Sequence, residues 1–150
     1  MVQDIIDYVP FSTDHLERAS KVYTACFNGP PWHDNWSQET ARVRLQILLD
    51  YPNAIGFVAI RNEELVDLVM GNCEPWSDGI SYYLNELCVS LNEQRSGIGE
   101  SLLDNLLKEL KNREVESVYL LTEHSSGAES FFLNQGFEAD PSTVKLWRNT

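Results

Sequence analysis

The pattern of apolar and polar positions divides the 150-residue chain into short segments of readable period. Residues 2–9 (V-Q-D-I-I-D-Y-V) read as a first strand. Ser12 or Thr13 caps a helix running to about residue 27, with Leu16, Ala19, Val22, Tyr23 and Phe27 on one stripe. A stretch rich in Pro and Trp (28–36, N-G-P-P-W-H-D-N-W) breaks the pattern. Ser37, followed by Glu39 and Thr40, opens a second helix to about residue 50, its stripe including Val43, Ile47 and Leu48. Residues 51–53 (Y-P-N) end it.

Strands at 54–61 and 65–73, joined across 61–64, suit a hairpin. A turn near 76–79 leads to a long strand at 80–89. Simple alternation places Tyr83, Asn85, Leu87 and Val89 on one face of it and Tyr82, Leu84, Glu86 and Cys88 on the other. Residues 97–113 form the clearest helix, with Ile98, Leu102, Leu103, Leu106, Leu107 and Leu110 recurring at three and four. A short buried strand at 117–122 follows, then a helix capped by Ser125 or Ser126 and running to about residue 135. Two strands, 137–138 and 144–148, close the chain. The order β-α-α-β-β-β-α-β-α-β-β describes an α/β fold: a mixed sheet flanked by about four helices. With no repeat, linker or low-complexity tract, 1–150 reads as one domain.

Composition narrows the class. A 43% apolar content, with four Trp, six Tyr and six Phe, fits a packed core. The longest apolar runs are too short to span a bilayer, and no signal peptide opens the chain. Three cysteines, Cys26, Cys73 and Cys88, lack metal-ligand spacing and read as free thiols of a cytoplasmic protein. Eleven Lys and Arg against 23 Asp and Glu give a net charge of −12. That field disfavours nucleic acid and anionic membranes and favours a cationic partner.

Candidate chemistry centres on Gln94-Arg95-Ser96-Gly97-Ile98-Gly99, where the long strand gives way to the Leu-rich helix. A helix N-terminus offers unpaired N–H groups and a positive dipole end, glycine lets an anion reach them, and Arg95 adds a cation. Neither a dinucleotide fingerprint nor a P-loop fits, because position 102 is Leu and Gly99 is followed by Glu100 and Ser101.

Two blocks resemble the GNAT N-acetyltransferase superfamily, while Pro30-Pro31-Trp32 with the following Trp36 resembles a loop of its aminoglycoside 6′-N-acetyltransferase-like members, with polyamine acetyltransferase-like members as the other relatives. The first runs from Leu87-Cys88-Val89 through Gln94-Arg95-Ser96-Gly97-Ile98-Gly99. The second comprises Leu120-Leu121-Thr122, Ser125, Ala128, Phe131-Phe132 and Gly136-Phe137.

The resemblance implies direct transfer of acetyl from acetyl-CoA to an amine. Backbone N–H groups of residues 94–99 would hold the pyrophosphate, the strand edge at Leu87, Cys88 and Val89 would pair with the pantetheine arm, and a backbone N–H near Val89 would polarise the thioester carbonyl. Ser125 stands where the family commonly has Asn. Phe132 stands at the cofactor-contacting position where the family often has a Tyr that protonates the leaving thiolate. His124 or water is then the alternative proton source.

A general base has two candidates on the long strand, Glu86 and Asn85, since acidic residues occur at both places in relatives. Glu86 is the only carboxylate there, and its alternative role is a hydrogen bond to a neighbouring loop. Trp32, His33, Asp34 and Trp36, with Tyr83, are the acceptor-site candidates, because the loop between the first two helices borders the acceptor cleft in GNAT folds. The two tryptophans also suit a purely structural cover over the sheet edge. The expected acceptor is a small cationic amine, with a peptide or protein N-terminus or lysine as alternative and a non-catalytic CoA-binding sensor as the reading from another class. No metal is expected, and a homodimer fits the superfamily.

Overall fold

A computed structural model describes residues 5–90 and 96–150. The chain forms two compact units, one up to Leu120 and one from Leu121 on.

The first unit is built on a five-stranded sheet in the order β1-β2-β3-β4-β5. These are β1 (Ile6–Pro10), β2 (Ala54–Arg61), β3 (Glu64–Trp76), β4 (Gly79–Val89) and β5 (Ser117–Tyr119). Four strands run antiparallel in sequence order, and β5 joins β4 in parallel, which makes the sheet mixed. Asn62 and Glu63, at φ 51° and 66°, form the two-residue hairpin turn between β2 and β3. Positive φ at both positions matches the twist of the flanking strands.

A single 3-10 turn at Thr13–His15 leads into α1 (Leu16–Asn28), three residues later than the pattern indicates. α2 (Gln38–Asp50) starts on a reciprocal cap: Ser37 Oγ accepts from the Thr40 N–H at 3.0 Å and Thr40 Oγ1 accepts from the Ser37 N–H at 2.9 Å. Its buried stripe is Ala41, Leu45 and Leu48, whereas Val43 and Ile47 face water. The sequence supports two overlapping stripes here, and the smaller Ala41 wins because α1 and α2 pack closely.

Leu16, Ala19, Tyr23 and Cys26 of α1 join Leu45 and Leu48 of α2 over Val58, Leu68, Met70 and Cys88, forming the core on one sheet face. The other face carries the buried Ile55, Ala59, Val69, Tyr82 and Leu84. α3 (Ile98–Asn112) packs on β2, β3 and β4 and buries Ile98, Leu102, Leu103, Leu106 and Leu110.

In the second unit, α4 (Gly127–Asn134) is capped by Ser126, whose Oγ accepts from the Glu129 N–H at 3.1 Å. The strands expected at 137–138 and 144–148 are absent, and β5 stops at Tyr119 instead of running to residue 122. A strand needs a partner ladder as well as alternating side chains, and residues 137–150 have none among the described residues; Val144, Leu146 and Trp147 are exposed. Nor is β5 a buried strand, since Ser117 and Tyr119 are exposed.

Candidate active site

One extra residue in β4 decides what faces the site. Met70 pairs with Glu86, but its neighbour Gly71 pairs with Leu84, so Asn85 is a bulge without a partner on β3. Directly opposed residues share a sheet face, and the bulge therefore reverses the alternation. Tyr83 (opposite Asn72), Glu86 (opposite Met70) and Cys88 (opposite Leu68) share the face under α1 and α2. Tyr82, Leu84, Leu87 and Val89 take the other. The simple alternation read from sequence is corrected here: Tyr83 and Glu86 lie together, and Leu87 and Val89 are parted from Tyr83. Asn85 keeps its Oδ1 shut from water without a hydrogen-bond partner among the described residues.

Glu86 bonds two helices, not a neighbouring loop. Its Oε1 accepts from the Tyr23 hydroxyl of α1 at 3.0 Å and from Nε and Nη2 of Arg44 on α2 at 3.3 and 3.1 Å. Burial raises the proton affinity of the carboxyl, Arg44 and Tyr23 oppose that rise without cancelling it, and the negative charge of Asp34 adds to it. Arg44 shifts up: burial works against its charge, and Glu86 and Tyr23 together outweigh burial. Tyr23 is pushed well above the phenol range by burial first and then by Glu86, so its hydroxyl acts as a donor. Neither Tyr23 nor Arg44 stands out in the sequence, because each lies tens of residues from Glu86 and looks like an ordinary helical position.

The loop between α1 and α2 is firmly held. The Asn28 side chain donates to the Trp36 carbonyl at 2.9 Å and accepts from the Trp36 N–H at 2.8 Å, and Trp36 Nε1 donates to Asp34 Oδ2 at 3.2 Å. Trp36 stands edge-on to Tyr23 with centroids 5.1 Å apart, and Trp32 packs on Phe27 at 5.2 Å. Both indoles are half-buried against the core. They act at least in part as structural cover, while His33 and Asp34 are exposed.

Two features suit a long anionic thioester. β5 pairs with Ser81, Tyr82 and Tyr83, so among the described residues β4 from Leu84 to Val89 has no strand partner on that side. An unpaired edge offers backbone N–H and C=O groups to an extended amide-bearing arm. The Cys88 side chain is buried in the helix-covered core, which leaves its backbone for such a contact. Beyond the edge, Gly97 caps α3 at φ 86°, and among the described residues no side chain caps the helix and the place a Cβ would take is open. This leaves the first-turn N–H groups of α3, which includes Gly99, to an anion. Ser96 and Gly97 are exposed and Ile98 is buried. Gln94 and Arg95 lie outside the described residues.

The Acetyltransferase (GNAT) family model matches residues 16–137. The chain belongs to the GNAT acetyltransferase family. Among solved structures it is similar to an aminoglycoside N-acetyltransferase in complex with CoA (15% identity, TM-score 0.75, 99% of this chain and 97% of that one). It is similar also to an aminoglycoside acetyltransferase from an uncultured soil metagenomic sample in complex with sisomicin (19% identity, TM-score 0.73, 97% and 96%). A ribosomal-protein-alanine N-acetyltransferase from Brucella melitensis biovar Abortus 2308 shares the fold at 14% identity (TM-score 0.76, 97% and 100%). No curated protein sequence matches the chain. As a GNAT acetyltransferase the protein is an enzyme, and acetyl-CoA is its acyl donor.

The remaining family positions lie in the second unit. Ser125 is not the cap of α4; it sits at φ 60° and its N–H donates to Glu129 Oε1 at 3.1 Å. Phe132 is buried between Phe131 and Phe137, with ring centroids 5.2 Å away on both sides, a packing role. His124 is almost wholly exposed and lies 3.3 Å from Glu129. Among the described residues no His, Cys, Asp and Glu cluster could hold a metal ion, and no helix is long and apolar enough to cross a membrane.

Proposed function

We propose that this GNAT acetyltransferase acetylates a primary amine of a small cationic acceptor, aminoglycoside-like or polyamine-like, with Glu86 taking the amine's proton. The observation that carries this reading is the buried Glu86 carboxylate, its proton affinity raised, on the same sheet face as Tyr83. An alkylammonium ordinarily titrates at about 10.4, so a base near the acceptor is needed at neutral pH.

Acetyl-CoA supplies the activated acetyl group. Ser96, Gly97, Ile98 and Gly99 hold its pyrophosphate in this reading, and the backbone of Leu87, Cys88 and Val89 lines the pantetheine arm. Glu86 removes the first ammonium proton, directly or through a water, which frees the nitrogen lone pair. The second proton leaves nitrogen as the N–C bond forms and the C–S bond breaks, and it ends on sulfur. Phe132 has no hydroxyl to give, so water delivers that proton. Arg44 and Tyr23 position Glu86, Asn85 sets its facing through the bulge, and Trp32, His33, Asp34 and Trp36 border the acceptor. The net charge of −12 favours a cation over an anion as acceptor. The reading also takes 1–150 as one cytoplasmic GNAT domain, able to form a homodimer, with three free cysteines.

Release of free thiol from acetyl-CoA across polyamines, aminoglycosides, amino-acid amides and peptides tests the acceptor class. Glu86→Gln lowers amine turnover by about 10²-fold or more if Glu86 is the base. Unchanged turnover in that variant removes Glu86 from the role. Preference for peptides over small polycations turns the reading to a protein N-terminus or lysine.

A further inference from the structure

The sheet face that carries Glu86 continues into a second cluster of chemistry-bearing side chains. Tyr83 of β4 and Tyr119 of β5 stand side by side with ring centroids 4.8 Å apart. The Tyr119 hydroxyl donates to Glu74 Oε1 of β3 at 2.6 Å. Register puts all three on Glu86's face: Glu74 opposes Ser81, Tyr83 opposes Asn72, and Tyr119 aligns with Tyr83.

The cluster is open to solvent. Tyr119 is 41% exposed, and Glu74 and Tyr83 are only half-buried. Glu86 has Arg44 to balance it, whereas among the described residues no ion pair neutralises Glu74. A carboxylate held in place by a phenol beside two aromatic faces attracts a cation on two counts, through its charge and through the ring quadrupoles. Its distance from Glu86 is fixed by the strand. Met70 lies opposite Glu86, and four residues of extended β3 separate Met70 from Glu74, roughly 13 Å.

We propose that Glu74, Tyr83 and Tyr119 seat a second cationic group of the acceptor, so that the enzyme selects amines bearing another ammonium roughly one nanometre from the reacting nitrogen. This inference rests on the proposed amine acetylation and adds a length requirement to it. Linear polyamines of that span satisfy the requirement, whereas monoamines and short diamines leave Glu74 unused.

The test compares 1,10-diaminodecane, 1,4-diaminobutane and decylamine as acceptors, with thiol release as readout. The long diamine is expected to exceed both others by about ten-fold in kcat/KM, mainly through KM. Glu74→Gln brings it down to their level, and Tyr119→Phe, which keeps the ring but frees the carboxylate, falls between. A wild-type enzyme indifferent to chain length, or a preference that survives Glu74→Gln, overturns the proposal. If no amine is acetylated, the proposed function falls by itself, and calorimetric titration with 1,10-diaminodecane decides this inference. Binding lost in Glu74→Gln sustains it, and absence of binding overturns it.

Discussion

Arg44 on α2 and Glu86 on β4 meet at 3.1 Å, so the only carboxylate of the long strand is partly neutralised before any substrate arrives. Replacing Arg44 by Met removes that balance and leaves only the Tyr23 hydroxyl to oppose the effect of burial on Glu86. The acid limb of the pH–rate profile is expected to move up by about one unit, the size of shift a nearby opposite charge produces. Stability falls by about 2 kcal/mol, below the usual loss for a broken buried pair, because the Arg44 side chain is 36% exposed. An activity loss equal at every pH refutes the electrostatic role.

Asp67 gives a second pH effect, this time on folding. It is fully buried, neither carboxylate oxygen has a hydrogen-bond partner among the described residues, and burial pushes its pKa up to about 9 from the ordinary 3.8, with Cys26 adding to the rise. The nearby Leu68 N–H favours the charged form, but too weakly to offset burial. The folded chain therefore keeps a proton that the unfolded chain releases. Stability from this group is complete below the unfolded value and is lost as pH rises toward about 9. The slope is at most about 1.4 kcal/mol per pH unit. Asp67→Asn cannot ionise, so its Tm gains steadily on the wild type from about pH 5 to about pH 9. Parallel melting curves across that range contradict it.

Gly71 is held to glycine by the bulge beside it. A Cβ there runs into the Tyr83 carbonyl and the Tyr82 ring, whose hydroxyl donates to the Ile55 carbonyl at 2.6 Å. Gly71→Ala is expected to cost about 3 kcal/mol in chemical denaturation, at the upper end for overpacking. A loss below about 1 kcal/mol means the bulge relaxes easily.

Gly97 calls for the opposite reasoning. A methyl group has room there, but φ 86° disfavours any L side chain, so Gly97→Ala costs about 1 kcal/mol of stability. The larger expected effect is on the ligand: CoA raises the Tm of the wild type more than ATP or NAD does, and the methyl group diminishes that shift. Equal shifts for the three nucleotides reject this loop as a CoA site.

Local signals made some of this legible. Leu at three-and-four spacing places α3 and the glycine that opens it, and Asn62-Glu63 between apolar runs marks the hairpin. The bulge at Asn85 has no such mark, since neither Gly nor Pro stands there and only pairing with β3 creates it. The ion pair of Arg44 with Glu86 is a contact between distant segments, invisible to periodicity. Val144, Lys145 and Leu146 alternate as a strand does, yet alternation describes side chains and says nothing of a backbone partner. Two cofactor motifs pointed to the family independently of these misreadings, because they depend on local sequence at a helix start and not on sheet register.

A strand has only two orientations to offer, so Asn85 works as a phase inverter. Everything from Glu86 onward is read in the opposite parity from everything up to Leu84. Pairing the same residues without the bulge would exchange the two sides of the strand's end, setting Asn85 opposite Met70 in Glu86's place and turning Glu86 toward α3. The pairing at this point is thus a chemical variable: whether Asn85 is looped out or laddered decides which side chain lies beneath Arg44, while deleting Asn85 would leave Glu86 opposite Met70.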